Sequence, residues 1–166
     1  MPLALALLLL AVTGTTALPV AADGIDLPTL DATVNRVIDG STLDAQIDGV
    51  RTPVTYLGAA APALNQPCGP EAAERSRQLA GQHVLLAADP AYDLDGQHRR
   101  LFYAYTADGV SIDETLIREG LAHAVHPDAS HGPDLAALEA SAQADAQGCL
   151  WSATAAPAPA AAPNPD

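Results

Sequence analysis

Apolar and polar residues alternate through residues 42–47, and largely through 32–39, on either side of an Asp39-Gly40 pair. A period of two across such a pair predicts two strands joined at a turn. Asp48-Gly49 marks a second hairpin turn before an apolar-rich stretch at 50–57, which completes a three-stranded meander. Residues 59–66 read as a loop, because Pro62 and Pro67 block regular pairing. Gly69-Pro70-Glu71 opens a helix: proline suits its first turn, and Glu71 and Glu74 favour the positive end of its dipole. Gly81 stops that helix after Ala80. Short apolar runs at 83–88 and 100–105 predict two more strands, separated by a polar loop at 89–99. Ser111-Ile112-Asp113-Glu114 has the capping-box pattern and begins a short helix through Arg118. An alanine-rich stretch at 134–147 predicts a third helix, with Leu135, Leu138 and Ala142 on one face and Gly148 at its end.

Five short strands with a helix between the third and fourth match an OB-fold barrel, with two further helices appended. The fold class is therefore α+β, mainly β. A chain of 166 residues suffices for one such domain with a real core.

The two ends read differently. The first 22 residues carry no charged side chain, residues 3–12 form an apolar run, and Val20-Ala21-Ala22 offers small residues for signal-peptidase cleavage. About ten apolar residues are too few to span a hydrocarbon core that needs about 20. The expected organisation is a signal peptide at 1–22, a short linker at 23–29, the folded domain at 30–151 and an Ala/Pro-rich tail at 152–166 that cannot bury a core. No Lys or Arg precedes the apolar run, so a start upstream of Met1 would be needed to supply a basic flank. No cysteine follows that run, which argues against a lipoprotein anchor. The expected destination is secretion or the cell envelope.

Charge narrows the partners. The chain has 20 acidic residues, seven arginines and no lysine, for a net charge of −13. Phosphate neutralisation dominates nucleic-acid affinity, and such an excess of negative charge opposes it at long range. An acidic exported monomer with an unidentified ligand or envelope partner is the expectation.

Specific motifs then accumulate. Residues 36–45 read Arg-Val-Ile-Asp-Gly-Ser-Thr-Leu-Asp-Ala, and residues 53–63 read Pro-Val-Thr-Tyr-Leu-Gly-Ala-Ala-Ala-Pro-Ala. Gly-Pro-Glu-Ala follows at 69–72, then Arg-Arg-Leu-Phe-Tyr at 99–103, Glu-Thr-Leu-Ile-Arg-Glu-Gly-Leu-Ala at 114–122 and Leu150-Trp151. In this order and spacing the chain resembles the thermonuclease (staphylococcal nuclease-like) family across residues 30–151. The resemblance implies an OB-fold barrel and, in active members, cleavage of DNA and RNA phosphodiester bonds with one calcium ion. Calcium takes six to eight hard oxygens, a carboxylate base activates water, and two arginines neutralise the charge that develops on phosphorus.

The positions that would carry this chemistry are mostly empty here. By the family's pattern, the first acidic ligand falls on Ser41 and the second on Ala60. Beside the second stands Ala61, which offers only a carbonyl. The general base falls on Ala63 and the first arginine on Thr55. A methyl group neither ligates calcium nor accepts a proton. The second arginine falls on Arg99, or on Gln97 if the count runs forward from Gly96; Arg99 is read first as a solvated surface charge, with the family's arginine as the alternative. Asp39 remains, in a position where an acid commonly stabilises its own turn. No calcium cofactor is expected.

Three histidines, His123, His126 and His131, lie near Asp128 in one nine-residue segment and are read as surface residues, with zinc binding as the less favoured alternative. Cys68 and Cys149 are the only cysteines, and an even count in an exported chain argues for a disulfide. The resemblance supports that pairing. The expected function is a degenerate binding or accessory module; the alternative is a weak, divergent nuclease using Arg99, His98 and a metal held elsewhere. A third reading is an accessory domain with no ligand in the old cleft.

Overall fold

A computed structural model of the chain describes residues 26–152. The expected signal peptide, all of the linker before Asp26 and the tail after Ser152 lie outside the described residues. Strands β1 (Thr29–Asp39), β2 (Thr42–Ile47) and β3 (Val50–Tyr56) form the expected meander. A two-residue strand β4 (Ala59–Ala60) precedes helix α1 (Gly69–Ala80), and β5 (His83–Ala87) and β6 (Arg100–Thr106) follow it. Helix α2 (Ile112–Arg118), strand β7 (His123–Ala124), helix α3 (Gly132–Ala144) and a last turn α4 (Gly148–Trp151) complete the order. The five long strands close a barrel in the order β1-β2-β3-β6-β5. All neighbours in it are antiparallel except β3 and β6, which run parallel.

Inward-facing apolar residues of β2, β3 and β5 and the continuously buried β6 share one core. Leu43 and Ala45 of β2, Val54 and Tyr56 of β3, Leu86 of β5 and Phe102 of β6 are all buried in one core. β1 is long because its two halves serve different partners: its start pairs with β5 and its later part with β2. Register shifts after Val34 and Val37 bend it between the two, as bulges do. Tyr56 Oη meets Ser76 Oγ at 2.9 Å, which ties the barrel floor to α1.

Two expectations are corrected. Residues 59–66 are not all loop, because Ala59 and Ala60 pair with Ala124 and His123 to make the small β4–β7 sheet. Two alanines against a His-Ala pair carry no strand pattern of their own; the neighbouring barrel and Asp113 place them. The helices number four rather than three among the described residues. α3 begins at Gly132, where Pro133 suits the first turn, and ends at Ala144. Ala146 and Gly148 then adopt positive φ of 50° and 60°, so the chain turns before α4 begins.

Asp113 is the unexpected buried group. The N-cap half of the capping box forms, with Ser111 Oγ accepting the N–H of Glu114 at 3.1 Å, while the Glu114 carboxylate pairs with Arg118. The Asp113 carboxylate instead turns inward, wholly buried, and accepts the N–H groups of Gly58 at 2.8 Å and Ala104 at 2.9 Å. It thereby joins the β4 segment, β6 and α2. The Cys68–Cys149 disulfide forms, with a Cα separation of 5.5 Å, and ties the start of α1 to α4.

Candidate active site

The start of β2 and the end of β3 lie side by side, with Thr42 opposite Thr55. Their neighbours Leu43 and Val54 point into the core, so the two threonines share the outer face. Parallel pairing of Thr55 with Leu101 brings the start of β6 to the same place. The loop before β6 is built on Asp95. Its Oδ1 accepts the N–H groups of Gln97 at 2.8 Å and Arg99 at 2.9 Å, a side-chain turn closed on the backbone. Its Oδ2 accepts Arg99 Nε at 2.6 Å and the Thr55 hydroxyl at 3.2 Å. Arg99 Nη1 in turn donates to Thr42 Oγ1 at 3.2 Å.

The Arg99 side chain turns toward Thr42 and Asp95, while Gln97 lends the turn its backbone N–H. This corrects the solvated-charge reading, because the Arg99 and Asp95 side chains are only 29% and 16% exposed and are paired to each other. Burial opposes ionisation of Asp95, but the N–H groups of Arg99 and Gln97 and the Arg99 guanidinium outweigh it and hold the carboxyl below its ordinary range. Asp95 escaped the sequence reading because a polar loop hides one acid among several. Its signal was an Asp-Gly step four residues before the arginine.

The other half of the cleft is closed by neutral contacts. Asp39 Oδ1 accepts the N–H of Ser41 at 2.9 Å, so this acid does stabilise its own turn. The buried Ser41 Oγ accepts the N–H of Ala61 at 3.3 Å. A Cβ on Gly40 would lie 2.4 Å from the Ala61 Cβ and 2.7 Å from the Ala72 Cβ, so only glycine permits this approach. Ala60 is engaged in the β4–β7 sheet. Ala63 is exposed and turns back on Gln66, its N–H meeting Gln66 Oε1 at 3.1 Å and its carbonyl the N–H of Gln66 at 2.8 Å. The donor set of one turn-bound carboxylate and one engaged hydroxyl does not fit calcium, which takes six to eight oxygens. Among the described residues no group of three or more His, Cys, Asp or Glu is placed to hold a metal ion.

The histidine-rich segment diverges rather than converging. His123 Nδ1 faces Glu139 Oε1 at 2.8 Å, and the His126 Nδ1–H donates to the carbonyl of Leu57 at 2.9 Å. His131 packs edge-on to Tyr103, with its Nε2 3.3 Å from Asp26 but without hydrogen-bond geometry to it. Asp128 accepts the Tyr92 hydroxyl at 2.6 Å. His98 sits at positive φ in the Asp95 turn.

Electrostatically the cations are spent within the domain. Arg36 and Arg51 both pair with Asp44, Arg75 with Glu119, Arg77 with Glu74, Arg99 with Asp95, Arg100 with Asp93 and Arg118 with Glu114. All seven arginines of the chain thus stand beside a carboxylate, and there is no lysine to add.

The family model described as "staphylococcal nuclease homologue" matches residues 45–153. The chain belongs to the staphylococcal nuclease family. It is also 34% identical over 104 residues to "Endonuclease YncB" of Bacillus subtilis (strain 168), covering 58% of this chain and 49% of that protein. The "SPbeta prophage-derived endonuclease YokF" of the same organism is likewise 34% identical over 104 residues, covering 58% of this chain and 35% of that protein. The matched stretch thus spans about half the length, or less, of these curated relatives. The closed five-stranded barrel expected of the staphylococcal nuclease family is in place.

Arg99→Ala should cost about 1 kcal/mol of stability, because it removes one ion pair of partial exposure but leaves the Asp95 turn its two backbone N–H bonds. Chemical denaturation of both proteins checks this; a loss above about 3 kcal/mol would make Arg99 a structural keystone instead.

Proposed function

We propose that this domain keeps the staphylococcal nuclease fold, has lost calcium-dependent phosphodiester hydrolysis, and serves outside the cytoplasm as a binding or accessory module. One observation carries the loss: the loop that should bring carboxylates to the cleft brings Ala60, Ala61 and Ala63, and the Ala61 N–H occupies the hydroxyl of Ser41. Asp95, the carboxylate paired with Arg99, is committed to four hydrogen bonds, which argues against it as a replacement base. The pairing of every arginine with a carboxylate supports a ligand other than nucleic acid. Export rests on the uncharged, apolar start of the chain and on the pairing of its two cysteines.

The endonuclease names of the two relatives favour a second reading, a divergent nuclease that works through Arg99. Incubating the purified domain with linear DNA and excess calcium, followed by gel electrophoresis, separates the two. The first reading expects DNA to stay intact over hours. Calcium-dependent digestion that disappears in Arg99→Ala would establish the second.

A further inference from the structure

The Cys68–Cys149 bond joins two parts of very different solidity. Cys68 is buried at the start of α1, at a left-handed φ of 69°. Cys149 is half-buried in α4, a turn of four residues none of which is buried. Neither cysteine belongs to the barrel core. α4 is seated on the end of α2: the Leu150 N–H donates to the Gly120 carbonyl at 3.0 Å, and a Cβ on Gly148 would lie 1.9 Å from the Glu119 carbonyl oxygen. Its Trp151 stands edge-on to His123 at 5.3 Å, and His123 pairs with Ala60 across the β4–β7 sheet. α4 therefore backs the strand pair that holds the degenerate cleft.

We propose that this disulfide is a redox latch on α4. Elements that bury little apolar surface open at low free energy once a tether is cut, while a closed barrel with its own core does not. The reductant is a dithiol. Its thiolate attacks the more accessible Cys149 Sγ, the S–S bond breaks, and the electron pair leaves on Cys68 Sγ, which takes up a proton. The second thiol then displaces Cys149 from the mixed disulfide. The protein gains two electrons and two protons, and the dithiol becomes a disulfide. α4 leaves its seat, Trp151 parts from His123, and the barrel stays closed.

Trp151 is the only tryptophan of the chain, so its emission reports the environment of α4, and circular dichroism separates opening from unfolding. The full chain is treated with dithiothreitol, both thiols are trapped with iodoacetamide and counted by mass, and fluorescence and far-UV circular dichroism are recorded. The latch expects Trp151 emission to shift to the red and its acrylamide quenching to rise, with the circular dichroism spectrum retained. Cys149→Ser should show the same emission without reductant. Unchanged emission after both thiols are trapped would overturn the proposal, because α4 would be docked without its bond. Loss of the circular dichroism spectrum together with the shift would also overturn it, because the bond would then hold the whole fold.

Discussion

Asp113→Ala should destabilise the domain by about 3–5 kcal/mol in urea denaturation. The wholly buried carboxylate accepts the N–H groups of Gly58 and Ala104, and each buried amide left unpaired costs about 1–3 kcal/mol. Gly58 is hemmed in as well: a Cβ there would sit 3.0 Å from Asp113 Oδ1 and 2.3 Å from Leu135 Cδ1, so no nearby side chain can move in to help. The same group sets a pH dependence. Burial pushes the Asp113 carboxyl from 3.8 up to about 7, against the pull of the surrounding N–H groups. A raised folded-state value means the folded protein holds the proton more tightly than the unfolded chain does. The contribution is therefore full below about pH 4 and is lost as pH rises through about 7, by something on the order of 4 kcal/mol. Asp113→Asn cannot ionise and should flatten this slope. Equal slopes in the two proteins between pH 4 and 8 would assign the pH dependence to another group.

Loss of the disulfide is the second large effect. Cys68 and Cys149 are 81 residues apart in sequence, and releasing a loop of that size returns enough entropy to the unfolded chain to cost about 4 kcal/mol. The Cys68→Ser, Cys149→Ser double variant should show this loss in urea denaturation, and the wild type in excess reductant should match it. The effect acts on the unfolded state, so it is compatible with a barrel that remains folded in water while α4 is free. A loss below about 1 kcal/mol would mean that the unfolded chain keeps these two segments together without the bond.

Much of the fold was legible because β1 and β2 carry a period of two, β5 and β6 read as short apolar runs and the hairpin turns carry Asp-Gly steps. The β2 bounds and the α1 and α2 helices follow from local signals, whereas the disulfide followed from the cysteine count and the family resemblance. β4 and β7 were not legible, because two-residue strands of Ala-Ala and His-Ala have no period; tertiary pairing makes them. α4 was missed because Gly148 looks like a helix stop, and only its contact with the end of α2 shows why the chain turns there. In the candidate site, the expectation of missing carboxylates rests on Ser41, Ala60 and Ala63 as the resemblance aligns them. The role of Asp95 could not be read, since one side chain serving two backbone amides, a threonine and an arginine is a property of the folded loop. The capping box pointed to Asp113 as a helix-start residue, and its burial appears only once β6 and Gly58 close over it.

Calcium titration of the purified, disulfide-bonded domain by isothermal calorimetry tests the central claim most directly. On the proposed assignment of Ser41, Ala60 and Ala63 to the ligand and base positions, and with Asp39 bound to its own turn, the account predicts only the dilution heat and weak, non-saturating association with surface carboxylates. A saturable site of one calcium per chain that disappears in Asp39→Ala would contradict it.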